Sequence, residues 1–378
     1  MIKTILFDVD GVMLSEERYF DASALTVWEL LHNPLYLGLP GDDFTPAPVE
    51  AKIRSVRETV FAKDEVLNFI KSRGINSNWD MVFLAFSYQL IRLCEHLKSS
   101  LGEEPASLLA GQINRTELNR LAQWAKEHAA DFHIDYAAFT ADFANGTAQK
   151  SGLLLDLNRI AKERCGVDTD MFSRSSELWQ LCQETFQEWY LGDERVAASI
   201  GRSSFQKGKK GFLSDEIPIV DPAELREILL TLKTKGYTLG IGTGRPTIET
   251  HVPLSELNLL DVFDPERVVT ASHVLEAEEE FPDQAPLAKP HPYCYVKGLL
   301  GLSAPNREVL NYSLPIANGE EVLIVGDSLA DLLAARAIGC KFAATLTGLS
   351  GQAARSKFEE EKAEFILDDV RGILSILE

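Results

Sequence analysis

Two carboxylates, Asp8 and Asp10 in ILFDVDGV, stand one residue apart at the end of an apolar run. A β-branched and aromatic run that stops at Asp-Val-Asp-Gly reads as a buried strand delivering charge to its own carboxyl end. Asp-Gly is also a common turn dipeptide, so the pair taken alone is either a site or a turn. A second pair, Asp327 and Asp331 in GDSLAD, follows the apolar VLIV. At the start of a helix they lie one turn apart on the same side. Hard oxygen ligands at that spacing suit Mg²⁺, although the helix dipole alone also favours an acid there. Lys289, followed by Pro290 and Pro292, is held in a stiff extended segment ahead of a helix. A fixed ammonium at that place can pin a carboxylate and a transferring phosphoryl group together; the alternative is an ordinary surface lysine. In GTGR, Gly242 and Gly244 let the backbone approach a ligand closely. Thr243 either holds phosphoryl oxygens there or merely ends a strand in a tight turn. Arg245 either pairs structurally or projects to a substrate.

These residues need elements to hold them. DPAELREILLTLKTKG reads as a helix with Asp221 as its cap, Pro222 at its first position and Gly236 at its stop. YTLGIGTGRP, RVVTAS, EEVLIVGDS and CKFAATLTG read as strands, alternating with helices in TIETHVPLSELNLL, HPYCYVKGLLGL and LADLLAARAIG. KAEFILDDVRGILSIL adds one more strand and helix. Short apolar strands alternating with amphipathic helices predict a mainly parallel sheet covered on both faces. In such sheets ligands bind beyond the carboxyl ends of the strands, which is where Asp8, Thr243 and Asp327 are expected.

Between the first strand and the rest, residues 15–214 change texture. VWELLH, VRETVFAKDEVLNFIKSRG, WDMVFLAFSYQLIRLCEHL, ELNRLAQWAKEH and SSELWQLCQETFQEWYLG predict helices, broken by loops at LPGDDFTPAP and GEEPASLLAGQINR. The KGKK of Lys207 to Lys210 reads as a solvated loop, and Phe186, Trp189 and Tyr190 as core.

The net charge of −20, from 57 acidic and 37 basic residues, argues against nucleic acid or an anionic membrane as the main partner. It leaves room for a phosphate ligand at a local basic site. No apolar run reaches the ~18 residues of a membrane span. The five cysteines show no metal-type or CxxC spacing, which fits reduced thiols in the cytoplasm. The start of the chain carries no signal-peptide pattern.

Taken in order, DVDGV (Asp8–Val12), GTGR (Gly242–Arg245), AKPHP (Ala288–Pro292) and GDSLAD (Gly326–Asp331) resemble the motifs of the haloacid dehalogenase superfamily of hydrolases. The nearest likeness is to its phosphoglycolate phosphatase and β-phosphoglucomutase-like group. The resemblance implies an α/β fold, a Rossmann-like doubly wound parallel sheet core formed by residues 1–14 and 215–378. It makes residues 15–214 a large inserted all-α cap domain, hinged near Ser15 to Tyr19 and Gly211 to Ile217.

By that resemblance Asp8 is a nucleophile that forms an aspartyl-phosphate, and Asp10 protonates the leaving oxygen and then activates water. Thr243 and Lys289 complete the catalytic set, and Gly244 and Arg245 bind substrate. Mg²⁺ is held by the Asp8 side chain, the Asp10 carbonyl and Asp327, with Asp331 acting through water or by orienting its neighbours. The implied function is a Mg²⁺-dependent phosphatase of a small phosphorylated metabolite. A phosphoglucomutase-like phosphotransferase and a non-catalytic regulatory protein on the same scaffold are the alternatives. Dehalogenase chemistry needs no metal and has no use for Asp10 and Asp327. Family members often carry an acid followed by Ser or Thr after the first motif, where this chain has Ser15-Glu16-Glu17.

Overall fold

The computed structural model describes residues 1–75 and 77–377. The chain forms two compact units, Met1–Glu17 with Leu213–Glu378, and Arg18–Phe212.

The first unit is built on a six-stranded sheet. Its strands are β1 (Thr4–Phe7), β2 (Thr238–Gly242), β3 (Val268–Val269), β4 (Val322–Gly326), β5 (Lys341–Thr345) and β6 (Phe365–Leu367). They pair in the order β3-β2-β1-β4-β5-β6, all parallel. Past the leading Thr4 and Thr238, the central strands carry only apolar residues and glycine because both faces are covered. Ile5, Phe7, Leu239, Ile241, Leu323 and Val325 pack on one side with Leu225, Ile228, Leu229 and Leu232 of the helix Pro222–Thr234. Leu6, Ile324, Phe342 and Ala344 pack on the other, with residues of the helices Tyr293–Leu300 and Leu329–Ile338. Asp221 caps the first of these helices by accepting from the Ala223 and Glu224 backbone N–H groups, an arrangement worth about 0.5–2 kcal/mol. The strand expected over RVVTAS is confined to Val268–Val269, because Thr270 already turns to cap the helix Ala271–Glu280.

Chain order leaves β1 for β2 on one side and returns to β4 on the other, so the sheet reverses direction of growth between β1 and β4. Phe7 is in register with both Ile241 and Val325, and the Asp8 N–H donates to the Val325 carbonyl at 2.8 Å. The ends of the three central strands are therefore level, and a crevice at such a reversal is where open α/β sheets bind ligands.

The second unit is helical, with its longest helices at Glu17–His32, Asn78–Leu101 and Glu177–Ile200. VRETVFAKDEVLNFIKSRG is not one helix: Ala62, Lys63 and Asp64 take φ of 47°, 55° and 67°, which separates Glu50–Val60 from Glu65–Ser72. The break expected at GEEPASLLAGQINR contains a short helix, Glu104–Leu108. The KGKK loop also departs from expectation. Lys209 is fully buried, 2.7 Å from both Glu29 and Glu188 and 5.1 Å from the Trp189 ring centroid. A kink at Gly192 (φ 72°) makes room for this segment: a Cβ there would lie 2.7 Å from the Gly211 nitrogen. Phe186, Trp189 and Tyr190 are buried. Among the described residues no helix is long and apolar enough to cross a membrane.

Candidate active site

β1 ends one residue before Asp8, whose backbone is still tied to β4, so the carboxylate projects where the sheet stops. Its Oδ1 accepts from the Val9 N–H at 2.7 Å, and its Oδ2 lies 2.9 Å from the Lys289 ammonium. Burial pushes Asp8 up to about 7; Lys289 pulls the other way, while Asp331 and Asp10 add to the rise. Lys289 is 2.7 Å from Asp331 Oδ1 and 4.9 Å from the Tyr295 ring centroid. Burial works to lower the lysine, but Asp331 and Asp8 outweigh it and keep the ammonium charged.

Asp331 is fully buried. Besides Lys289, its Oδ1 accepts from the Tyr295 hydroxyl at 2.7 Å and its Oδ2 from the Ser328 hydroxyl at 2.6 Å. Burial alone would raise its carboxyl, yet Lys289, Ser328 and Tyr295 together hold it below the usual carboxylate range. With both oxygens engaged, Asp331 is built to orient the lysine. Asp327 is the reverse case. Burial, then the charges of Asp331, Asp8, Glu16 and Asp10, push it well above the ordinary range.

Asp8, Asp327 and Asp331 each bring a carboxylate oxygen within 4.8 Å of the others. Two of the three carboxyls are raised by burial and mutual repulsion, so negative charge here exceeds what Lys289 balances. Hard oxygen donors carrying that excess fit a divalent cation, Mg²⁺ included.

Asp10 belongs to the same turn, in which the Met13 and Leu14 N–H groups donate to the Val9 carbonyl. Its Oδ1 receives Arg245 Nε at 2.9 Å and Nη2 at 2.6 Å, while Arg245 Nη1 donates to Glu216 Oε1 at 2.6 Å. Arg245 is only 1% exposed. Of the two roles open to Arg245 from the sequence, structural pairing is the one seen: the guanidinium is buried between two acids, as a buried charge must be paired, and it holds Asp10. Thr243 is likewise buried, and its hydroxyl accepts the Arg245 N–H at 3.2 Å within the strand-to-helix turn. Gly242 has a steric reason, since a Cβ there would sit 2.6 Å from the Tyr295 ring. A Cβ at Gly244 would meet nothing within 4 Å, so this backbone borders open space.

Sequence reasoning missed Glu216, Tyr295, Ser328 and the end of β5 with the loop after it, where Thr345 and Thr347 hydroxyls donate to the Gly11 carbonyl at 3.1 and 2.5 Å. Glu16 carried a visible signal, standing where the chain departs from the family pattern, and its charge reaches Asp327. Ser328 had one as well, a hydroxyl ahead of an acid three residues on, which is an N-cap spacing.

A family model described as haloacid dehalogenase-like hydrolase matches residues 2–339. The phosphoglycolate phosphatase of Pasteurella multocida (strain Pm70) is 29% identical over 191 residues, 50% of this chain and 69% of that protein. That of Haemophilus influenzae (strain 86-028NP) is 29% identical over 156 residues, 40% of this chain and 55% of that protein. An X-ray structure from the Northeast Structural Genomics Consortium is 37% identical, with a TM-score of 0.88, and covers 100% of this chain and 98% of that one. This likeness takes in the helical insert as well as the sheet. The matched span holds all the strand-end acids and Lys289, and it is long enough to decide the matter: the chain belongs to the haloacid dehalogenase-like hydrolases.

Proposed function

We propose that this hydrolase is a Mg²⁺-dependent phosphomonoesterase that removes phosphate from a small metabolite through an aspartyl-phosphate on Asp8. The observation that carries the reading is the Lys289 ammonium held between Asp8 and Asp331, 2.9 and 2.7 Å away, at the end of the central strands. Asp8 attacks phosphorus, and the leaving oxygen takes a proton from Asp10. Asp10 then withdraws a proton from the water that releases phosphate and regenerates Asp8. Lys289, fixed by Asp331, neutralises charge on the transferring phosphoryl group. Asp8, the Asp10 carbonyl and Asp327 would hold the cation, which supplies charge neutralisation for an anionic nucleophile meeting an anionic substrate. Thr243 and Gly244 border the phosphoryl position. The helical unit Arg18–Phe212, inserted between the first two motifs, is the proposed substrate-selecting cap.

The relatives named phosphoglycolate phosphatase match about half of the chain at most, and they support placing a small phosphorylated carboxylate first in the substrate class. The five buried free thiols support a cytoplasmic setting. The test is phosphate release from a panel of phosphorylated metabolites, phosphoglycolate included, with and without Mg²⁺. Release that requires Mg²⁺ is expected. Isomerisation of a hexose 1-phosphate without net phosphate release would replace the reading with a phosphotransferase, and inactivity across the panel would replace it with a binding role.

A further inference from the structure

Gly348, in the turn after β5, owes its identity to Asp327. Its φ lies outside the left-handed region, so the backbone there accepts any residue, but a Cβ would overlap Asp327 Oδ2 and stand 2.8 Å from its Cγ and 3.0 Å from its Cβ. Gly11, in the turn after β1, presses on the same carboxylate: a Cβ there would fall 2.8 Å from the Asp327 Cβ and overlap the carboxyl group. The two turns are fastened together, because the Thr345 and Thr347 hydroxyls both donate to the Gly11 carbonyl. The backbone of two turns, after β1 and after β5, therefore closes in on the Asp327 carboxylate and leaves it little room to move.

Resting on the cation site proposed above, we infer that Gly348 is a positioning residue for the cation ligand Asp327 and sets the preference of the site for Mg²⁺ over Ca²⁺. Mg²⁺ demands near-ideal octahedral geometry at short distances, whereas Ca²⁺ accepts longer, irregular coordination. A carboxylate with little room to move serves the first ion. A carboxylate pushed aside serves the second almost as well.

The experiment is calorimetric titration of the full chain with MgCl2 and CaCl2, for the wild type and Gly348→Ala. Mg²⁺ affinity should fall about 10–100-fold, the usual cost of disturbing a ligand's support, and Ca²⁺ affinity distinctly less. Equal loss for both ions, or no loss, overturns the inference while leaving the cation site intact. A wild type that binds neither ion overturns the site itself, and the inference with it. Thermal unfolding of Gly348→Ala in an Asp327→Ala background guards against simple misfolding. With the blocking carboxylate gone and only the Cβ of residue 327 left nearby, the added methyl should cost much less stability than in the wild-type background; a Tm drop as large as in the wild-type background also overturns the inference.

Discussion

Asp8 and Asp10, with one residue between them, differ in what holds them. Asp8 is buried, faces Lys289 and sits at about 7, where burial dominates. Asp10 is partly open to solvent and anchored by the guanidinium of Arg245. Each arrangement gives a separate prediction. Asp8→Asn keeps the shape and removes the charge that attacks in the proposed mechanism, so phosphate release from p-nitrophenyl phosphate should fall to the no-enzyme level with an unchanged circular dichroism spectrum. Full activity in that variant would remove Asp8 as the nucleophile. Arg245→Ala releases Asp10 and should read out as leaving-group dependence. An alkoxide needs its proton in the transition state and a nitrophenolate scarcely does. Turnover of an alkyl phosphate should therefore drop by about 10²-fold, the lower range for general acid catalysis, with p-nitrophenyl phosphate much less affected. Equal losses on both substrates would mean that Arg245 only supports the fold.

At the scale of elements, the strand ends supply position and the turns supply clearance. β1 and β4 are hydrogen-bonded neighbours, so Asp8 and Asp327 emerge side by side without any loop to place them. Within the helical unit a comparable constraint is electrostatic. Lys209 links Glu29 of the helix Glu17–His32 to Glu188 of the helix Glu177–Ile200, and all three are fully buried. Burial raises Glu29, against the pull of Lys209. Glu188 is also opposed by burial but ends below its usual range through Lys209, the Phe205 N–H and Arg202. Lys209→Met leaves the buried Glu29 without its cation beside Glu188, which keeps only the charge of Arg202, and should destabilise the chain by about 3–5 kcal/mol, as broken buried pairs do. Denaturant unfolding followed by tryptophan fluorescence measures it, and a loss under about 1 kcal/mol would show the cluster to be dispensable.

For the whole molecule, all five cysteines are free and buried. Burial pushes Cys165, Cys294 and Cys340 up to about 12 and raises Cys94 and Cys182 as well. Thiolate is the reactive form. A disulfide-exchange reagent at about pH 8 should therefore find no fast thiol in the native chain and all five after denaturation. A fast native thiol would mark a locally open segment.

The sequence by itself determined the alternation of strand and helix, the motif acids at strand ends and Lys289 beside two prolines. These follow from local pattern: apolar runs of strand length, turn residues and periodic helices. Hence the parallel sheet could be read from the sequence, and so could the choice of Asp8, Lys289, Asp327 and Asp331 as candidates, which the fold brings together. Tertiary structure alone decided the partners. That Arg245 reaches Asp10 and Glu216, that Tyr295 and Ser328 hold Asp331, and that Gly348 backs Asp327 depend on strand order and register. Lys209 gives the same lesson in reverse: KGKK is a polar loop by composition, yet one of its lysines is buried against acids from two distant helices. Local sequence encodes the period of an element, whereas pairing across the sheet and the choice of buried counter-charge are contacts between segments far apart in the chain.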